Sequence, residues 1–128
     1  MKKATLLAAT AVLLLSFKAG VTKIAKEKFC GKKWYVTKME AGGKTKEMKD
    51  SKNYTEFKTD GTMISGSAGG SDTHNYDYDE NSNTVSVKMN DGSVNMRIEI
   101  LKVDAKHLEM NQTIVAMNAT MKVYCEAK

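Results

Sequence analysis

From Trp34 to the end of the chain, apolar and polar residues alternate with a period of two, and no proline interrupts them. That period is the repeat of a strand with one buried face, so the pattern admits a sheet and excludes a helical domain. β-Branched, aromatic and methionine residues take the apolar positions, while lysine, glutamate and asparagine take the others. Asp60-Gly61 and Asp91-Gly92 break the alternation with dipeptides that supply the positive φ of tight hairpins. Gly42-Gly43, the run from Glu80 to Asn83, and Asp104-Ala105-Lys106 punctuate it less sharply. Strands are predicted over 33–40, 44–49, 54–59, 62–66, 73–79, 84–90, 93–103, 107–113 and 119–126. Connections this short join sequential antiparallel neighbours, giving a meander rather than a parallel sheet with crossovers. The expected fold is all-β, a single up-and-down antiparallel barrel of about eight strands. A two-sheet sandwich satisfies the same strand pattern.

Length and the first residues bound the rest. A chain of 128 residues holds one domain. Lys2 and Lys3 precede an apolar run over 4–17, which falls short of the ~20 residues a spanning helix needs and has the form of a secretory leader. Residues 1–20 are therefore expected to be a signal peptide and 21–128 the barrel domain, with no membrane span and a periplasmic or secreted destination. Cys30 is no lipoprotein cysteine, because Lys26-Glu27-Lys28-Phe29 precedes it where small or aliphatic residues are required. Val21, Ile24 and Ala25 share one helical face, predicting a short N-terminal helical segment that lies across one barrel end with Phe29 as a plug.

The leader holds Lys2, Lys3 and Lys18 of the 20 basic residues, leaving seventeen against 15 acids. This near balance, with Arg97 the sole arginine, is not the footprint of a nucleic-acid binder. Two cysteines in an exported chain favour a disulfide, here between Cys30 and Cys125, which would tie the first strand to the last. Two free thiols are the alternative.

Period-two counting assigns faces. Val94, Met96, Ile98 and Ile100 share one side of the longest strand, opposite Asn95, Arg97 and Glu99. Val85, Val87 and Met89 do likewise one strand earlier, Leu108, Met110 and Ile114 continue the pattern, and Met121, Val123 and Cys125 close it. The nine methionines of the chain fall largely within or beside strands. Methionine adapts to varied apolar partners, so these positions form either an ordinary core or an apolar ligand cavity, and an eight-stranded barrel has room for either. The candidate ligand-binding residues are Met63, Val87, Met89, Met96, Ile98, Met110, Met121 and Val123. Glycine-rich residues 66–72 are either a plain linker or a flap at the barrel mouth.

No catalytic constellation is evident, and neither a cofactor nor a metal is expected. His74 and His107 lack ligand spacing, and Asp77, Asp79, Asn81 and Asn83 lack the turn glycine and distal glutamate of a calcium loop. The serines Ser65, Ser67 and Ser71 meet no nucleophile-elbow pattern. Arg97, opposite the apolar face and next to Glu99, is expected to form an exposed cross-strand pair.

Three motifs, in order, bear a family likeness. Gly31-Lys32-Lys33-Trp34 resembles the Gly-x-Trp opening of lipocalins, with one residue more between glycine and tryptophan. The stretch from Tyr54 to Thr62 resembles the Phe-x-x-Asp-Gly-Thr hairpin of small bacterial lipocalin-like domains, common in exported proteins of Bacteroidetes-type bacteria. Arg97 to Asp104 followed by Leu108-Glu109-Met110 resembles their next hairpin. The resemblance implies a calycin barrel with a structural Trp34 at its closed end and apolar side chains inside. The methionine-rich inner face and the resemblance together favour a non-catalytic protein holding a small apolar or amphipathic molecule, and a monomer is expected. A solid-core barrel serving as an interaction or structural module is the alternative. Lys122-Val123-Tyr124 also resembles the inward Arg-x-Tyr of fatty-acid-binding proteins, an arrangement incompatible with Met121, Val123 and Cys125 pointing inwards; the apolar set is favoured.

Overall fold

A computed structural model describes residues 22–128; the predicted leader over 1–20 lies outside them. The strands are β1 (Lys33–Ala41), β2 (Lys44–Glu47), β3 (Tyr54–Phe57), β4 (Thr62–Ser67), β5 (Gly70–Asp79), β6 (Thr84–Lys88), β7 (Val94–Val103), β8 (His107–Ile114) and β9 (Ala119–Ala127). From β3 to β9 each is antiparallel to the next, and β1 pairs with both β3 and β9, closing eight strands into a barrel. The remaining strand, β2, pairs only with the outer half of β1, where Lys38 to Ala41 meet Glu47 to Lys44. It extends the barrel wall on one side of the mouth.

Closure sets which side chains meet inside. Trp34 and Val36 of β1, Phe57 of β3, Met63 of β4, Tyr76 of β5 and Val85 and Val87 of β6 are buried. So are Ile98 and Ile100 of β7, Leu108 and Met110 of β8, and Val123 and Cys125 of β9. Each buried apolar side chain of this size contributes about 1.5–3 kcal/mol by leaving water. A register shift between Val36 and Lys38 resets the alternation on β1, so that Met39, paired with Val123, follows Val36 to the inside.

The two ends of the barrel differ. At one end Phe29, fully buried, meets Phe57 and Tyr78 edge-on with ring centroids 5.1 and 5.0 Å apart, and Phe57 meets Tyr76 at 5.6 Å. Trp34, also fully buried, donates its indole N–H to the Phe29 carbonyl at 2.8 Å. This end is filled.

The expected N-terminal helical segment is replaced by irregular backbone and one 3₁₀ turn at Lys26–Lys28. Its backbone groups are bonded to the barrel instead: Asn83 donates its amide to the Thr22 carbonyl at 2.8 Å and accepts the Ile24 N–H at 2.9 Å. A segment too short to sustain a helix alone is captured by a side chain 61 residues away.

The expected disulfide is also absent, and both cysteines are free. Strand alternation buries Cys125 inside the barrel, opposite Val36 and Leu108 on the flanking strands. Cys30, bridged to Phe57, turns its Sγ towards the Tyr76 hydroxyl, 3.4 Å away. Burial pushes the Cys125 thiol up to about 12, so it packs as a neutral small hydrophobe.

Candidate functional site

The other end of the barrel is open. A cavity of about 580 Å³ enters between the β4–β5 hairpin and the strands facing it. That volume lies within the roughly 300–1,000 Å³ of small-molecule sites. Its apolar wall is made by Val36, Met39, Met63, Met96, Ile98 and Val123. The glycine-rich residues that form its lip are no loose linker. β4 and β5 run to Ser67 and Gly70, leaving Ala68 and Gly69 as the turn of a regular hairpin in which Gly66 pairs with Ser71 and Ser65 with Asp72.

Gly66 makes room for a neighbouring aromatic ring. Tyr54, its cross-strand partner, lays its ring over the outer face, and a Cβ on Gly66 would run into that ring. Tyr54 also stacks at a tilt on Tyr35, 5.4 Å between centroids. The glycine lets an aromatic side chain seal the wall behind the cavity lip.

Polar side chains share the cavity with the methionines. Thr55 and Ser65, paired across β3 and β4, border it, as do Asn53, Ser67, Asp72 and Gln112. Gln112 is half-buried, and its amide finds a methionine sulfur, Met110 Sδ at 4.0 Å, a weak acceptor. Thr55 is 7 % exposed and sits deepest among these polar groups. The cavity is therefore amphipathic: apolar towards the packed end and hydrogen-bonding along one side and at the lip.

The predicted binding residues divide. Met63, Met96, Ile98 and Val123 border the cavity. Val87 and Met110 are fully buried, in the packed core, and Met121 faces inwards beside Gln112 without bordering it. Met89 does not belong. The register shifts after Val87, β6 ends at Lys88, and Met89 enters a turn closed by its own N–H to the Ser93 carbonyl at 2.9 Å, 47 % exposed.

Asn53, Thr55, Ser65 and Gln112 lie outside the predicted set because apolar alternation alone does not mark polar side chains that face inwards. For Gln112 the signal was present, since alternation from Leu108 through Met110 passes directly through it.

Other candidates take structural places. Lys122 and Tyr124 point outwards: Tyr124 donates to Glu40 at 3.1 Å, and Lys122 lies 3.8 Å from Glu109. The Tyr124 hydroxyl beside it, and then the carboxylates of Glu109 and Glu40, raise the Lys122 pKa. Arg97 stands exposed between Ser86 and Thr113, so its cross-strand neighbours are neutral rather than acidic. Burial, followed by the Cys30 contact, raises the Tyr76 pKa, and its hydroxyl donates to the Lys58 carbonyl at 2.6 Å. Asp60 and Asp91 cap the two Asp-Gly turns by accepting from Thr62 and Ser93, bonds that lower both carboxyl pKa values. Among the described residues no group of three or more His, Cys, Asp or Glu side chains is placed to hold a metal, and no helix is long and apolar enough to cross a membrane.

Fold and site together define a closed eight-stranded antiparallel barrel, packed at one end and open to an amphipathic cavity at the other. No protein-family model, curated protein or solved structure matches the chain.

Proposed function

We propose that this chain is an exported, non-catalytic, lipocalin-like binding protein that holds a small amphipathic molecule in the open half of its barrel. The observation that carries the reading is the cavity of about 580 Å³ lined by Met39, Met63 and Met96 beside Thr55, Ser65 and Gln112. Methionines give a surface that adapts to an apolar tail, and the hydroxyls and amide orient a polar group at fixed points. The meander closed by β1, with buried Trp34 at the packed end, supports the lipocalin-like reading. Export rests on the leader-like residues 1–20 of the sequence. The cavity weighs against the alternative of a solid barrel used only for its outer surface.

The test is native mass spectrometry of the purified protein with solvent extraction, alongside titration with N-phenyl-1-naphthylamine, a neutral apolar fluorophore. The reading predicts an extractable small molecule or saturable one-site binding of the fluorophore. Neither being found removes it.

A further inference from the structure

The cavity carries information about the head group of its ligand, an inference that rests on the binding reading above. Among the described residues bordering it, Asp72 is the single acid, and none is lysine, arginine or histidine. Asp72 lies on the lip, directly across from Ser65, with Ser67 one inward position further along β4. By alternation it shares the inward face of β5 with buried Tyr76. The intervening His74 does not border the cavity.

A carboxylate-tailed amphiphile would bring its charge to a site that has one negative group and no cation to neutralise it. An ammonium or a hydroxyl placed there meets acceptors throughout: the Asp72 carboxylate and the Ser65 and Ser67 oxygens. We propose that the barrel selects cationic amphiphiles first, and neutral hydroxyl-bearing ones second, over fatty acids and other anions. The head group sits at Asp72 and the chain runs inwards along Met63, Met96 and Ile98. The basic groups a fatty-acid site would need, Lys122 above all, are engaged on the outer wall.

The experiment displaces bound N-phenyl-1-naphthylamine with three amphiphiles of the same chain, dodecylamine, dodecanol and dodecanoate, below their micelle concentrations. The expected order is amine, alcohol, carboxylate. The step from alcohol to amine is about fivefold, the scale of a partly solvated charge pair, and it shrinks as salt is added. Asp72→Asn, with its fold checked by circular dichroism, is expected to bring the amine-to-alcohol ratio close to one. Equal competition by all three, a preference for dodecanoate, or an amine preference that survives Asp72→Asn overturns the head-group assignment while leaving the binding reading standing. Failure of the fluorophore to bind at all overturns both.

Discussion

The closed end of the barrel depends on one side chain, and Asn83→Ala tests that dependence. Asn83 is 6 % exposed and holds a left-handed φ of 53°. Its amide donates to the Thr22 carbonyl, its Oδ1 accepts the Ile24 N–H and lies 3.2 Å from the Tyr78 hydroxyl, and its own carbonyl accepts the Ile100 N–H at 2.8 Å. Alanine keeps the last bond and loses the others. The two hydrogen bonds lost to Thr22 and Ile24, the second leaving a half-buried N–H unpaired, cost about 2 kcal/mol, while the Tyr78 hydroxyl keeps its shorter bond to the Ile24 carbonyl at 2.6 Å. Forcing alanine into the left-handed region costs a further ~1 kcal/mol, which Asn83→Gly avoids. The expected losses are therefore about 3 kcal/mol for alanine and about 2 for glycine. At roughly 4–8 °C per kcal/mol for a domain of this size, both shifts are easily measured. Trp34, the only tryptophan, is fully buried at this end and hydrogen-bonded to Phe29, so its fluorescence reports urea unfolding directly. An Asn83→Ala variant within 0.5 kcal/mol of the parent, a difference too small for any buried bond, or a glycine variant as unstable as alanine, refutes this account of the clamp.

Three other outcomes are expected. Gly66→Ala drives a methyl into the Tyr54 ring and should lower stability by about 1 kcal/mol; in a Tyr54→Ala background the same substitution should cost almost nothing, and a penalty that persists there would place the strain elsewhere. Because the Cys125 pKa is raised from 9.0 to about 12, the folded state keeps a proton the unfolded chain loses. Stability is thus complete below pH 9 and declines above it by about 1.4 kcal/mol per pH unit. Tyr78, raised from 10.0 to about 12 by burial and then by Glu80, adds a smaller, solvent-screened part above pH 10. Cys125→Ser should move the alkaline onset from about pH 9 towards pH 10, and an unmoved onset would show that this thiol is not its source. Finally, with both cysteines free, a reducing agent should leave the melting temperature unchanged and the intact mass should be that of two thiols; a mass two hydrogens lower contradicts it.

Much of the architecture was legible because a half-buried strand writes its period into the sequence. Each predicted strand has its counterpart, and Asp60-Gly61 and Asp91-Gly92 turn as their chemistry requires. What escaped was set by partners distant in the chain. Residues 22–29 have an amphipathic pattern, yet Asn83 bonds their backbone to the barrel, and nothing local to Thr22 or Ile24 announces that. In the sequence Asn83 stands as the last of four alternating oxygen-bearing residues, whereas its left-handed backbone and amide make it a clamp. Cys30 precedes the first strand and Cys125 lies within the last, but proximity in topology does not aim side chains at one another, and alternation sends Cys125 into the core. Alternation points Met89 inwards because the register shift after Val87 leaves no mark in the sequence. At the site, four of the eight predicted residues border the cavity. The polar partners Thr55, Ser65 and Gln112 stand at inward positions that the same counting reaches once polar residues are allowed inside.

The central claim is that the open half of the barrel receives a small molecule, and filling that half tests it most directly. Met96 is half-buried on the cavity wall, with free volume in front of it, so Met96→Trp should occupy the space without unfolding the barrel. Titrating N-phenyl-1-naphthylamine into the parent and the filled variant compares the two states of one cavity. The account predicts saturable single-site binding to the parent and loss of at least tenfold in affinity, about 1.4 kcal/mol, in a variant whose melting temperature is preserved. Equal binding by both proteins would place the fluorophore somewhere other than this cavity and contradict the claim.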